Sequence, residues 1–503
     1  MAAPAGSAAR RVLRTFRAVD FSGGWNPRST PALLADNESP DMLNVTIDNE
    51  GGLVKRLGYA QVGAALPGPA ANLFFWPTAM AVIAQVGTSV YQAFGWSGLG
   101  SWTLIHTFSN DARAAFCDFQ GDLVSVHPVD GVATLPNGGT WTAVSPSPKG
   151  SIIAVWQNKV WVAGDPVNIS RVWASNAGDP KVWDMSSDYN DMREKDNTAV
   201  TALIPGQGFD AVGRPGLMVL KKDWWGRIDD PKKGDTIGRY ITLHNEAGAA
   251  GPESVTTAMS GQICAINQRG IYVSDGVNAP QYVSSKVENL FNPVHLNFQQ
   301  ARRWTAIPYR DRVCFCLTRG TGQLTNNFML EYHPTVGWFV PHNIGFGSTA
   351  LFNSDEFTPY GASVSDGKIF QLFKGWSDDG ANIAAHHQTR WFGPGEGYKF
   401  RMRRLRIDAH GSFDFYTRGD YSSDPGILNH FTDNSDDSTW ADNFESFDDF
   451  WSLNVAKVVA WRLEENSQTP AFGRRLLGDG PQPEIGSFAL FGYLLDFVRL
   501  GYA

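Results

Sequence analysis

What the chain lacks narrows it first. It has four cysteines in 503 residues, Cys117, Cys264, Cys314 and Cys316, too few for a disulfide-stapled scaffold and in keeping with synthesis in a reducing cytosol. Charged residues are scarce at 18% and sum to a net charge of −8, whereas a dedicated nucleic-acid binder would concentrate Lys and Arg. No apolar run reaches the roughly 18 residues of a membrane-spanning helix, so no membrane span is expected. Four arginines lie within residues 1–20 with no apolar stretch behind them, so no secretory leader is expected either. Long amphipathic helices are missing too, because 52 glycines and 28 prolines interrupt every candidate heptad run. Coiled coils and helical solenoids are thereby excluded.

What is present is aromatic. Phe, Trp and Tyr make up 13% of the chain, with 18 Trp, enough buryable surface to offset the ordering entropy that keeps polar chains disordered. The length allows roughly three domains of about 150 residues, or fewer if repeats stack into one body.

A loose repeat of roughly 40–60 residues runs from about 61 to 380. Each unit joins a short apolar strand, a tight polar turn and a second strand, often with a closing aromatic. The units open near Met80, Gly121, Gln157, Gly216, Gln262, Asp311 and Ala362, and close on Trp102, Trp141, Trp183, Trp225, Tyr272, Trp338 and Trp376. None is large enough to bury its own apolar face, and short sheets of this kind are stable when stacked radially. The expected fold is all-β: a degenerate β-propeller of about seven blades over 61–380, an N-terminal docking arm and hairpin over 1–60, and a β-rich, sandwich-like domain over 381–503.

Inside the arm, Ser39, Pro40 and Asp41 read as a helix start, with Ser at the N-cap and Pro in the first turn. Val45–Ile47 and Leu53–Lys55 read as a hairpin. In the C-terminal region the alternation of basic and apolar residues after Lys399 flips phase at Arg403 and Arg404, the mark of a bulge in a strand. An insertion at 420–450 holds nine acids, no Lys or Arg, and Trp440, Phe444, Phe447 and Phe450. Its Asp433, Asp436, Asp437, Asp448 and Asp449 are the candidates for an acidic channel wall or inter-subunit seam.

Catalytic and metal-binding patterns are wanting, so no enzymatic activity and no cofactor are expected. There is no Walker sequence and no His-Glu-x-x-His. His386 and His387 are adjacent, so on a strand they face opposite ways and cannot share an ion. Cys314 and Cys316 face the same way but have no further ligands nearby, and read as buried core thiols. Residues Thr134 to Trp141 have the outline of a sialidase Asp-box turn, but Pro136 replaces its acid, and the segment reads as a blade hairpin.

The most specific segment is an ordered string. Asp20, Phe21, Gly23, Gly24, Asn26 and Arg28 are followed by Pro31, Leu33, Leu34, Asp36, Asn37 and Glu38, then Asn44 and Val45, then Gly52, Leu53, Lys55, Arg56, Gly58 and Tyr59. This string resembles the opening of the β-propeller proteins of bacteriophage tails, including the nozzle proteins of short-tailed phages. The resemblance implies a structural virion protein: a nozzle or hub subunit in a homo-oligomeric ring, a hexamer in that family, assembled in the host cytoplasm. It would contact a tail adaptor or connector and tail fibre or spike proteins, and let viral DNA pass without binding it specifically. An acidic conduit repels the phosphate backbone, which suits that role. Phe21, Trp25, Arg28, Lys55 and Arg56 are the candidates for docking the arm on a partner. The alternatives from other classes are a carbohydrate-binding adhesin at the tail tip and a propeller glycosidase or depolymerase.

Overall fold

The computed structural model describes residues 13–48, 51–95, 100–193, 196–209, 215–229, 240–352, 358–391, 398–410, 412–419, 426–432, 459–465 and 489–502. Of the acidic insertion only residues 426–432 are described, and its five candidate aspartates lie outside the described residues. Helix is slight, as in the short 3-10 turns Ser285–Leu290 and Phe298–Arg303. The chain divides into two compact units, one of residues 59–337 and 342–374, the other of residues 1–58, 338–341 and 375–503.

The first unit is a seven-bladed β-propeller. Among the described residues, seven antiparallel sheets follow one another along the chain. Their inner strands are Asn72–Trp76, Ala115–Phe119, Ile152–Trp156, Val200–Phe209, Val255–Thr257, Thr305–Tyr309 and Thr349–Phe352. Blades one to five are each four consecutive strands in meander order. Blade seven takes its outer strand from far upstream: Tyr59–Gln61 pairs with Ile369–Leu372, Tyr59 opposite Leu372 and Gln61 opposite Phe370. The ring is closed by this strand, so the last blade is tied to residues that precede the first.

The core explains why blade strands are apolar on both faces. Its clusters lie between neighbouring blades: Trp76, Ile83, Phe116 and Leu123 between blades one and two, and Val124, Val132, Val160 and Trp173 between two and three. Middle strands such as Gly131–Leu135 and Ile263–Asn267 are buried at every position, because a blade has a neighbour on each side. Sheets buried on one face only would alternate instead. All four cysteines are buried here.

The second unit joins the two ends of the chain. One five-stranded sheet runs in the order Asp41–Leu43, His386–Gln388, Val459–Glu465, Ser412–Gly419, Gly426–Thr432. In the other, Ala489–Tyr502 pairs with Leu13–Ala18, with Tyr398–His410 and with Leu53–Lys55, which in turn pairs with Val45–Ile47. Segments that read in the sequence as a separate arm and a separate C-terminal module thus share both sheets. The expected hairpin at 45–55 is present. The expected bulge is as well, with the register shifting between Met402 and Arg404.

The helix expected at Ser39 is absent. Glu38–Ser39 and Asp41–Leu43 are short strands, and the Ser39 hydroxyl donates to the carbonyls of Asp41 (2.8 Å) and Gln388 (2.6 Å) instead of capping. Pairing of Asp41–Leu43 with His386–Gln388 satisfies the backbone that a helical turn would have satisfied internally. Tertiary pairing overrides the local signal.

Candidate functional site: the axial mouth of the propeller

Each inner strand starts at the same end of the ring, so the residues just before these strands gather around the axis there. Arg113 lies two residues before its inner strand, Glu253 two before its own, and Arg302 and Arg303 close the turn that leads into Thr305. Ser151 and Ser348 immediately precede the strands of blades three and seven. Gly251 permits the close approach of two connectors: a Cβ there would stand 2.3 Å from the carbonyl oxygen of Arg302, which no other residue could tolerate.

These residues link blades across the axis. The Arg113 guanidinium makes an ion pair with Glu253; the two belong to blades two and five, three apart in a ring of seven and therefore on opposite sides. Arg113 is fixed further by Nε donating to the Ala71 carbonyl (3.0 Å) and by the same Nη2 that meets Glu253 donating to Asn72 Oδ1 (3.2 Å). Glu253 also accepts from the Ser348 hydroxyl of blade seven at 2.8 Å. Burial pushes the Glu253 carboxyl above its ordinary value, against the pull of the Arg113 charge. Beside this link lies a cavity of about 380 Å³ whose wall includes Asp111, Arg113, Glu253, Arg302, Arg303 and Ser363.

Other ionic clusters of the propeller are saturated within the chain. Lys221 is fully buried against Asp196 (2.7 Å) and the Ser170 hydroxyl (3.0 Å), and Glu331 is held between Arg312 and His342, each at 2.7 Å. Burial holds the thiols protonated: it raises Cys314 well above its ordinary value and pushes Cys316 up to about 11. Among the described residues, no group of three or more His, Cys, Asp or Glu could hold a metal ion. The Thr134 to Trp141 segment is a hairpin turn between strands Gly131–Leu135 and Thr142–Ala143, closed by Gly139 N donating to the Pro136 carbonyl at 2.8 Å.

The residues proposed from the sequence for docking are mostly turned inward in the second unit. Phe21 is buried and meets the His387 ring edge-on, with centroids 5.4 Å apart. Trp25 is buried, its indole N–H donating to the Pro40 carbonyl at 3.3 Å. Lys55 and Arg56 are each 1% exposed; Lys55 donates to Asn382 Oδ1, and Arg56 grips Asp378 with two bonds of 2.8 and 2.6 Å. Of the five, Arg28 alone is exposed. These side chains bind the chain to itself, so a partner would reach them only by displacing that packing. The sequence reading passed over Arg113, Glu253, Arg302 and Arg303. The signal for them was a charged residue one to three positions ahead of an inner strand, visible only once those strands were aligned.

No protein-family model matches the sequence, and no curated protein does. Among solved structures the chain is similar to a streptogramin B lyase, with 12% identity, a TM-score of 0.43, and 63% of this chain and 97% of that one covered. It is also similar to the Pan2 WD40 domain of Neurospora crassa, at 11% identity and a TM-score of 0.41 over 64% and 98% of the two chains. A third is PorZ, a bacterial surface component of the type-IX secretion system of Porphyromonas gingivalis, at 11% and 0.40 over 71% and 44%. Likenesses this distant carry nothing about activity. No helix of the described residues is long and apolar enough to cross a membrane.

Proposed function

We propose that the chain is a structural subunit of a bacteriophage tail, a nozzle or hub protein that works in a homo-oligomeric ring around the path of the ejected DNA. The observation that carries this reading is the ordered string of residues 20–59, whose members up to Gly58 interlock in one unit rather than lying scattered. A Cβ at Gly23 would stand 2.5 Å from the Asn37 carbonyl oxygen, and one at Gly58 1.9 Å from that of Ser377. Asn26 donates to Glu38 at 3.0 Å, and Arg56 to Asn44 Oδ1 at 3.0 Å. A string whose residues constrain one another in this way is the signature of a module, which gives the resemblance to phage tail propellers more weight than isolated matches would have.

Two further features support a scaffold over a catalyst. The axial mouth, where propellers bind ligands, is crossed by the link from Arg113 through Glu253 to Ser348. The net charge of −8 suits a wall along which a polyanion slides without sticking. Immunogold labelling of virions with antibody raised against the purified chain tests the proposal. Gold confined to the tail, with a ring-sized oligomer released from disrupted virions, is the expected result. Virions without label would overturn it, and release of reducing ends from capsular polysaccharide by the purified chain would move the assignment to a depolymerase.

A further inference from the structure

The cavity at the axial mouth contains charged groups that the fold does not use. Arg302 and Arg303 stand next to each other at the end of the turn Phe298–Arg303, both exposed. Their contacts are long and go to neutral oxygens: Arg302 to the Ser151 hydroxyl at 3.4 Å, Arg303 to the Leu324 carbonyl at 3.4 Å. Among the described residues neither guanidinium forms an ion pair. Asp111, exposed in the same wall, forms none either. Arg113 and Glu253 in that wall neutralise each other, as do the buried ionic clusters elsewhere in the propeller. The cavity therefore brings together two uncommitted cations, one uncommitted anion, and a short apolar stretch made by Pro69, Ala70 and Val364.

We propose that this cavity binds an acidic monosaccharide, a uronic acid or a similar sugar carboxylate. At about 380 Å³ it lies near the small end of ligand pockets, which run from about 300 to 1,000 Å³, a size for one or two sugar rings. The two guanidiniums of the wall each offer a planar donor fork of the kind that matches a carboxylate. Asp111 and the outer oxygens around Glu253 accept hydrogen bonds from sugar hydroxyls, and the apolar stretch takes the C–H face of the ring. Inorganic phosphate fits this wall less well. It would satisfy the arginines, but it has only one or two O–H donors for the acids, no apolar face for Pro69, Ala70 and Val364, and a dianionic charge that Asp111 repels. A neutral hexose satisfies the acids and leaves the arginines bare. The proposal does not rest on the tail assignment, since a scaffold and a soluble enzyme could both carry such a site.

Titration calorimetry of the full chain with sodium glucuronate, glucose and inorganic phosphate tests it. Glucuronate should bind at least about tenfold more tightly than either comparator, the difference made by one charge-assisted contact. The double variant Arg302→Ala/Arg303→Ala should lose at least tenfold in glucuronate affinity, whereas Arg269→Ala, outside the cavity and paired with Asp223, should lose nothing. Should the alanine pair melt early, Arg302→Lys/Arg303→Lys keeps the charge and removes the planar forks, and should still lose several-fold. Absence of glucuronate binding overturns the proposal. So does phosphate binding as tight as glucuronate, or an affinity indifferent to both double variants.

Discussion

The two units of this protein bury comparable kinds of residues by opposite routes. Among the described residues of the propeller nearly every strand pairs with its neighbour in sequence, and only Tyr59–Gln61 comes from a distance. In the second unit the defining pairings span most of the chain: Leu13 lies opposite Val498, and Leu43 opposite His386. Local pairing costs little loop-closure entropy and propagates blade by blade, whereas long-range pairing must close a loop of several hundred residues before any contact rewards it. The second unit is accordingly fastened by charged and hydrogen-bonded groups that reach across that separation. Arg56 with Asp378, Asn44 with the Ala384 carbonyl, and Ser39 with the Gln388 carbonyl are its long-range fasteners. The propeller relies on apolar surfaces between adjacent blades.

That contrast is open to direct attack. The largest effect is expected at Arg56, whose side chain is 2% exposed and bonded twice to Asp378, itself 15% exposed. Arg56→Ala leaves a largely buried carboxylate without its cation and should cost about 3–5 kcal/mol. Differential scanning calorimetry should show one transition falling while the propeller transition stays in place. If both fall together, the two units melt as one cooperative body and the comparison fails.

The propeller's counterpart is its closing strand. Tyr59 packs its ring 4.7 Å from Phe370 and 5.5 Å from Phe346, so Tyr59→Ala removes a half-buried aromatic and should cost about 2 kcal/mol. Limited proteolysis should then open blade seven first. Equal protection of all blades would mean that ring closure does not depend on this packing.

A pH effect separates the units more gently. Burial, assisted by the neighbouring His386 charge, depresses the His387 imidazole from its ordinary 6.5 to about 3. The folded chain keeps this ring neutral. As pH falls below about 6.5 the unfolded chain takes up a proton that the folded chain refuses until about pH 3, so stability drains away through that window. The slope is at most about 1.4 kcal/mol per pH unit. Urea unfolding of the second unit at pH 7 and pH 5 should show the loss, and His387→Leu should flatten it. An unchanged slope in the variant would place the acid sensitivity in other groups.

The smallest effect is expected at Val167 in a propeller loop, 82% exposed. Val167→Ser should change stability by less than about 0.5 kcal/mol in a denaturant titration. A larger loss would show that the loop carries packing that the isolated chain does not display.

The sequence by itself determined whatever depends on neighbours in the chain. Short apolar strands, polar turns and closing aromatics recur at blade spacing because each blade is a local meander, and the count of seven could be taken from that rhythm. The hairpin at 45–55 and the bulge at Arg404 were legible for the same reason, since alternation and its phase are properties of consecutive residues. The site at the axial mouth was not legible. Arg113 and Glu253 are 140 residues apart, and only the closure of a seven-membered ring sets them face to face. Ser39 offered every local sign of a helix cap, yet it serves a strand because His386–Gln388 supplies a better partner for that backbone. Likewise Phe21, Trp25, Lys55 and Arg56 looked available for docking, yet Trp25 is taken up by Pro40 within the arm and the other three by His387, Asn382 and Asp378 from far along the chain. A sequence records which side chains could be buried or charged together, but the partner that wins is decided by a distance in space that no spacing along the chain encodes.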